Sequence, residues 1–279
     1  MSSITATPVS ESRTTGLLED KLAAKTFFLA SVSFFSIPFV YHAFKIGADF
    51  AWDGVAEYST FETQNPRIAL YLIAWHMMLG ASMNFLAPLQ VYLGLTNPGS
   101  KLHLYLGRVV LAIALFGATV GSLYFSMYKD VNWGLQGHAV FHVYQAGSMY
   151  GIVMLYVLYK CVQTLFQKSY VAHKEWAIRL FILAIGSWIN RVTTGWIVVF
   201  FISSALVGVN EPINPEVFTY INPWTFYIVP LLVYEVYVRL KRSGATQNLP
   251  RYAPGLTALC GVMILGVGTC GYLAQMYMK

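Results

Sequence analysis

Apolar positions fall into seven long stretches, at roughly 26–46, 68–94, 102–127, 138–162, 173–207, 223–240 and 255–276. A helix needs about 20 predominantly apolar residues to cross the hydrocarbon of a bilayer. Each stretch therefore predicts one transmembrane helix. Polar or Pro/Gly-rich turns separate them at 47–67, 96–101, 129–137, 167–174, 208–223 and 241–254. Pro38 and Pro88 lie inside stretches and are expected to kink their helices, because proline lacks a backbone donor and crowds the preceding turn. Residues 1–25 are Ser/Thr-rich and mixed in charge, with no apolar core ahead of a small-residue cleavage site. They predict a short polar tail rather than a removable signal peptide. The expected architecture is an all-α integral membrane protein: a single seven-helix bundle over 26–279, with a histidine-bearing four-helix core at about 68–207.

Composition agrees with this pattern. Hydrophobic residues make up 57% of the 279 positions and charged residues only 11%, against about 25% charged in ordinary globular domains. That is too little charge to solvate a globule of this size. The net charge of +6 has to be read by position, since cytoplasmic loops collect Lys and Arg. An inside N-terminus puts Lys101, Arg108, Lys160, Lys168, Lys174, Arg179, Arg239, Lys241, Arg242 and Arg251 at the cytoplasmic face. The outer face then holds Lys45, Arg67, Lys129 and Lys279 beside Asp49, Asp53, Glu57, Glu62, Asp130, Glu211 and Glu216. The expected location is the plasma (bacterial inner) membrane, with the C-terminus outside. No basic run interleaved with aromatics points to nucleic acid. Cys161, Cys260 and Cys270 are an odd count within apolar segments and read as packing residues. The chain has no Gly-rich phosphate loop, no Gly-x-Ser-x-Gly and no His-Glu-x-x-His, so soluble-enzyme chemistry has no foothold.

The second stretch carries His76-Met-Met-Leu-Gly80-Ala-Ser82-Met83 and the fourth His142-Val-Tyr-Gln-Ala-Gly147-Ser148-Met149. Each is followed by a stretch opening with a basic histidine cluster, Lys101-Leu-His103 to Arg108 and His173-Lys174 to Arg179. Helices two–three and four–five thus read as two copies of one hairpin in the same orientation, a parallel repeat. Ionisable groups in spanning segments are costly and tend to mark sites. Of the six histidines, His76 and His142 fall in the outer half, and His103 and His173 near the inner boundary. This gives two imidazole pairs, each split between the repeat halves, which suits axial ligation of haem iron from two sides. Gly80, Ala81, Gly147 and Ser148 leave room beside the outer pair. Lys101, Arg108, Lys174 and Arg179 could neutralise propionates at the inner pair. Arg191 lies 18 residues beyond His173, about 27 Å deeper, where an outer propionate would be its counter-ion.

Other readings of the same residues stay open. His138 and His142, four apart on one helix face, could join His76 and His42 as ligands of copper, zinc or non-haem iron. Asp49, Asp53 and Glu57 in the first outer loop could complete that set. A non-catalytic carrier or sensor is a third reading. Interface histidines also contact lipid headgroups, and buried ones bond between helices. Glu235 could snorkel to water or pair with Arg239 at i,i+4.

Two resemblances rest on these residues. The stretch LAPLQVYLGLTNPGSKLHLYLGRVVLAIALFGATVGSLYF (86–125), with the later AHKEWAIRLF, resembles a family of bacterial predicted membrane proteins (domain of unknown function 2306). Its hallmarks are His-x3-Gly-Arg, here His103 to Arg108, and a later His-Lys-x-Trp-x-Ile-Arg, here His173 to Arg179. The similarity covers about 70–195 and implies a fold, not an activity. Separately, histidines on four successive helices are similar to those of the two-haem transmembrane cytochromes b. That likeness implies one or two b haems, His76 pairing with His142 and His103 with His173, and a quinone or a redox protein as partner. His103 and His173 depart from it by lying at helix starts. The function expected is single-electron transfer by a membrane oxidoreductase or electron carrier.

Overall fold

The computed structural model describes residues 11–52, 66–127, 138–206, 215–248 and 253–277, with side chains described over 21–48, 68, 71–122, 144–200, 203, 220–246 and 253–274. Within these residues the chain is entirely helical. The helices are α1 (Glu11–Trp52), α2 (Pro66–Thr96), α3 (Lys101–Met127), α4 (His138–Phe166), α5 (Tyr170–Ala184), α6 (Gly186–Leu206), α7 (Pro215–Arg242) and α8 (Ala253–Tyr277), with a short 3-10 turn at Ala245–Asn248. Stretches within α1, α2, α3, α4 and α8 are each long and apolar enough to cross a membrane, and α5 with α6 makes a sixth candidate as a bent pair. α7, which carries Pro223, Pro230 and Glu235, is not among them.

Several boundaries differ from the sequence expectation. α1 begins at Glu11 rather than near 26, because 17–25 is rich in Leu, Ala, Glu and Lys, good helix formers with no interior proline. α2 opens on Pro66, whose missing N–H costs nothing at the first helical position. α7 starts before Pro223, so that proline lies inside it. The fifth stretch, expected as one helix, is two: it breaks at Ile185 and bends by 51°. Gly186-Ser187 at the break is a pair that tolerates sharp bends. A Cβ on Gly186 would lie 3.1 Å from the Tyr150 hydroxyl and 3.3 Å from the Phe226 ring, so glycine lets both aromatics approach. The Tyr150 hydroxyl donates to the Leu183 carbonyl just before the break.

α2, α3, α4 and α5 close a four-helix ring, each packing on the next and α5 on α2. α2 thus opposes α4 and α3 opposes α5. α1 lies on α2, α7 on α4, α5 and α6, and α8 between α1 and α6. On α1, Leu29, Val32, Ser36, Phe39 and Ala43 are buried at helical spacing, while Phe34, Ile37 and Tyr41 face outward. α6 meets α8 backbone to backbone: a Cβ on Gly195 would overlap the Gly268 carbonyl, and one on Gly271 the Gly195 carbonyl. Such small-residue seams let helices pack where water supplies no driving force.

Candidate functional site

The ring encloses a cavity of about 50 Å³, space for a few waters. Its lining includes His76 and Gly80 of α2, Gly117 and Gly121 of α3, Tyr150 of α4 and Ser187 just past the break. The His76 ring lies over Gly121, where a Cβ would stand 2.6 Å from Nδ1. Nδ1 is 3.4 Å from the Gly117 carbonyl oxygen. A carbonyl only accepts, so this contact is a hydrogen bond in the form that carries a proton on Nδ1. Beside Gly80 no atom lies within 4 Å of where a Cβ would stand, so the wall is open there. Ser122, by contrast, fills the notch of Gly151, making that glycine a packing contact between α3 and α4. Asn84 is fully buried; its amide donates to the Gly80 carbonyl at 2.9 Å and to Ser187 at 3.4 Å, tying α2 to the break.

The end of the ring that carries His103 and His173 is built by two tight turns. Ser100 caps α3, its hydroxyl accepting from the His103 amide at 3.1 Å. The His103 ring rests on Gly94 of α2, where a Cβ would lie 3.1 Å from its Cε1. Its Nδ1 is buried with no hydrogen-bond partner among the described residues. α4 ends with Lys168 in the left-handed region (φ 55), and the amides of Lys168 and Ser169 return to Leu165 and Thr164, a Schellman closure. The turn brings His173 back onto α4, where Nδ1 donates to the Cys161 carbonyl at 3.0 Å. His103 and His173, on the opposed helices α3 and α5, are close enough to influence each other electrostatically.

The cations fall into two groups. Lys101, Arg108 and Lys174 are exposed on the N-terminal parts of α3 and α5, with Arg108 over the Tyr105 ring at 5.6 Å. Arg179 is committed elsewhere. It is buried and grips Glu235 of α7 through Nε at 2.5 Å and Nη2 at 3.0 Å. Its guanidinium also lies 4.5 Å from the Trp176 centroid and 5.2 Å from that of Tyr234. Glu235 therefore pairs with Arg179, not with Arg239: tertiary packing offers a fork-shaped partner on α5. Arg191 does not line the cavity; its guanidinium lies 6.0 Å from the Tyr272 ring of α8.

The side chains of His138, His142 and Asp49 lie outside the described ones, as do Asp53 and Glu57 entirely. The outer histidine pair and the alternative metal set therefore rest on backbone placement alone. No three His, Cys, Asp or Glu side chains converge on a metal position among the described residues. Sequence reasoning missed Tyr150, Asn84 and the Arg179–Glu235 pair. Gly117 and Gly121 were missed as well, although their spacing of four is a small-residue signal that could have found them; the other three gave no local signal. Comparison of the chain with protein-family profiles, curated proteins and solved structures returned no match.

Proposed function

We propose that this chain is a transmembrane b-type haem protein that carries single electrons within or across the membrane. One observation carries the reading. His76, His103, His142 and His173 belong to the four helices of one ring, each proposed pair on opposed helices. Opposed helices would let His76 and His142, and His103 and His173, hold a haem between them. The backbone carbonyls facing His76 and His173 add support, because a ligating imidazole usually donates its other ring N–H to such a group. The residues fit haem in donor chemistry and in the open wall at Gly80, while about 50 Å³ is far less than a porphyrin needs. Binding at the outer level therefore requires α4 to stand off from α2.

Haem, when bound, supplies the one-electron chemistry. The chain would orient it through His76 and His142, and through His103 and His173, and exclude water with Met83, Ile113 and Met154, which line the cavity. Lys101, Arg108 and Lys174 would meet inner propionates, with Arg179 held back by Glu235. Quinone or a redox protein is the class of partner. Counting α5–α6 as one crossing and α7 as another gives seven, with the N-terminus in the cytoplasm. The test is an absorption spectrum of protein expressed with ample haem: a Soret band sharpened by dithionite is expected, and a colourless protein overturns the proposal. His76→Ala and His142→Ala should each remove one and the same spectral component, and His103→Ala and His173→Ala the other.

A further inference from the structure

Arg191 is half-buried in the interior of a candidate spanning segment. A cation at such a depth calls for a partner. The described ion pairs are Arg179–Glu235 and Arg242–Glu175, and neither involves Arg191. Its guanidinium meets only the face of Tyr272 among the described aromatic rings.

The packing of α1 on α8 shows what else stands at that level. Phe28 meets Gly261 and Phe35 meets Gly266, so the two helices run in the same direction. From Phe35 to His42 is seven residues and from Gly266 to Tyr272 is six, rises of about 10 Å and 9 Å. His42 and Tyr272 therefore share a height. His42 and Arg191 sit close enough to influence each other electrostatically, and Lys45 is near as well. The junction of α1, α6 and α8 thus gathers Arg191, His42 and Lys45 with no described carboxylate paired to any of them. On the outward sides of α1 and α6, Tyr41 and Trp196 are 70% and 38% exposed, on surfaces that would face the hydrocarbon of a bilayer.

We infer that Arg191, with Tyr272 and His42, forms a binding site for the oxyanion headgroup of an amphipathic molecule arriving from the outer leaflet, a site separate from the histidine chamber. A planar guanidinium takes a carboxylate or a phosphate through two parallel hydrogen bonds. The Tyr272 ring fixes its plane, and the aromatic side chains alongside accept the apolar tail. A free fatty acid and an anionic phospholipid share this chemistry.

The test is native mass spectrometry of the full chain in detergent, titrated separately with oleate, phosphatidylglycerol and phosphatidylcholine. A saturable adduct with oleate alone assigns the carboxylate, and one with phosphatidylglycerol alone assigns the phosphate. Arg191→Gln should weaken that adduct at least tenfold, while Lys168→Gln on the opposite side of the membrane leaves it intact. Should Arg191→Gln fail to accumulate, Tyr272→Leu and His42→Ala read out the same adduct. Equal adducts in wild type and variants overturn the inference, as does phosphatidylcholine binding as well as either anion. Loss of the haem spectrum in Arg191→Gln also overturns it, since the arginine would then serve the chamber. A protein without haem that keeps an Arg191-dependent adduct ends the cytochrome proposal and leaves this one standing.

Discussion

At the scale of single residues, the strongest commitments are charged or backbone-strained. Glu235 neutralises a buried arginine, so Glu235→Gln leaves that charge uncompensated. The carboxylate is 38% exposed, which softens the loss to about 1–3 kcal/mol. Thermal unfolding in detergent should show the drop, and the double variant Arg179→Met with Glu235→Leu should recover part of it. Lys168 closes α4 with φ 55, a conformation that costs a side chain about 1 kcal/mol. Lys168→Gly is expected to raise the thermal midpoint; no rise would mean the backbone there is unstrained. The sequence showed that His76, His103, His173 and Arg179 were unusual for a membrane span. It could not show their partners, because Gly117, Cys161 and Glu235 lie 41, 12 and 56 positions away and only folding brings them near.

Among elements, the seam of α6 and α8 is the most sensitive to a single atom. Gly195→Leu must push a side chain into the backbone of Gly268 and Tyr272. Overpacking typically costs about 1–3 kcal/mol, and here no flexible side chain can yield. The expected result is loss of monodisperse protein in size-exclusion chromatography, whereas Gly255→Leu, with open space around it, should be tolerated. Helix existence was legible from apolar run length alone, since a bilayer leaves few alternatives to helices. Helix ends were less so. The start of α1 followed propensity beyond the apolar run, and the break at Ile185 depends on Tyr150 and Phe226 from other helices.

For the molecule as a whole, the positions of Lys and Arg predict where its ends lie. A periplasmic reporter such as alkaline phosphatase should be active when fused after Lys279 and inactive when fused ahead of Met1. Activity of the N-terminal fusion would reverse the orientation. The ring of α2–α5 was foreshadowed by the recurrence of a histidine followed by Gly, Ser and Met in the second and fourth stretches, His76 to Met83 and His142 to Met149. The arrangement of α1, α7 and α8 around that ring was not, because their apolar runs carry no pairing code and their exposed cations fall toward the helix ends.

The bend at Ile185 has a consequence for the host membrane. α5 and α6 contain 15 and 21 residues, about 22 and 32 Å of helix. Placed end to end they would far overshoot a hydrocarbon layer of about 30 Å. Tilting one arm by 51° reduces its vertical reach by about a third, so the elbow relieves part of the hydrophobic mismatch that a straight rod would impose on the lipid. A change in the elbow angle would act on the chamber beside it through Tyr150, which bonds the Leu183 carbonyl before the bend and lines the cavity.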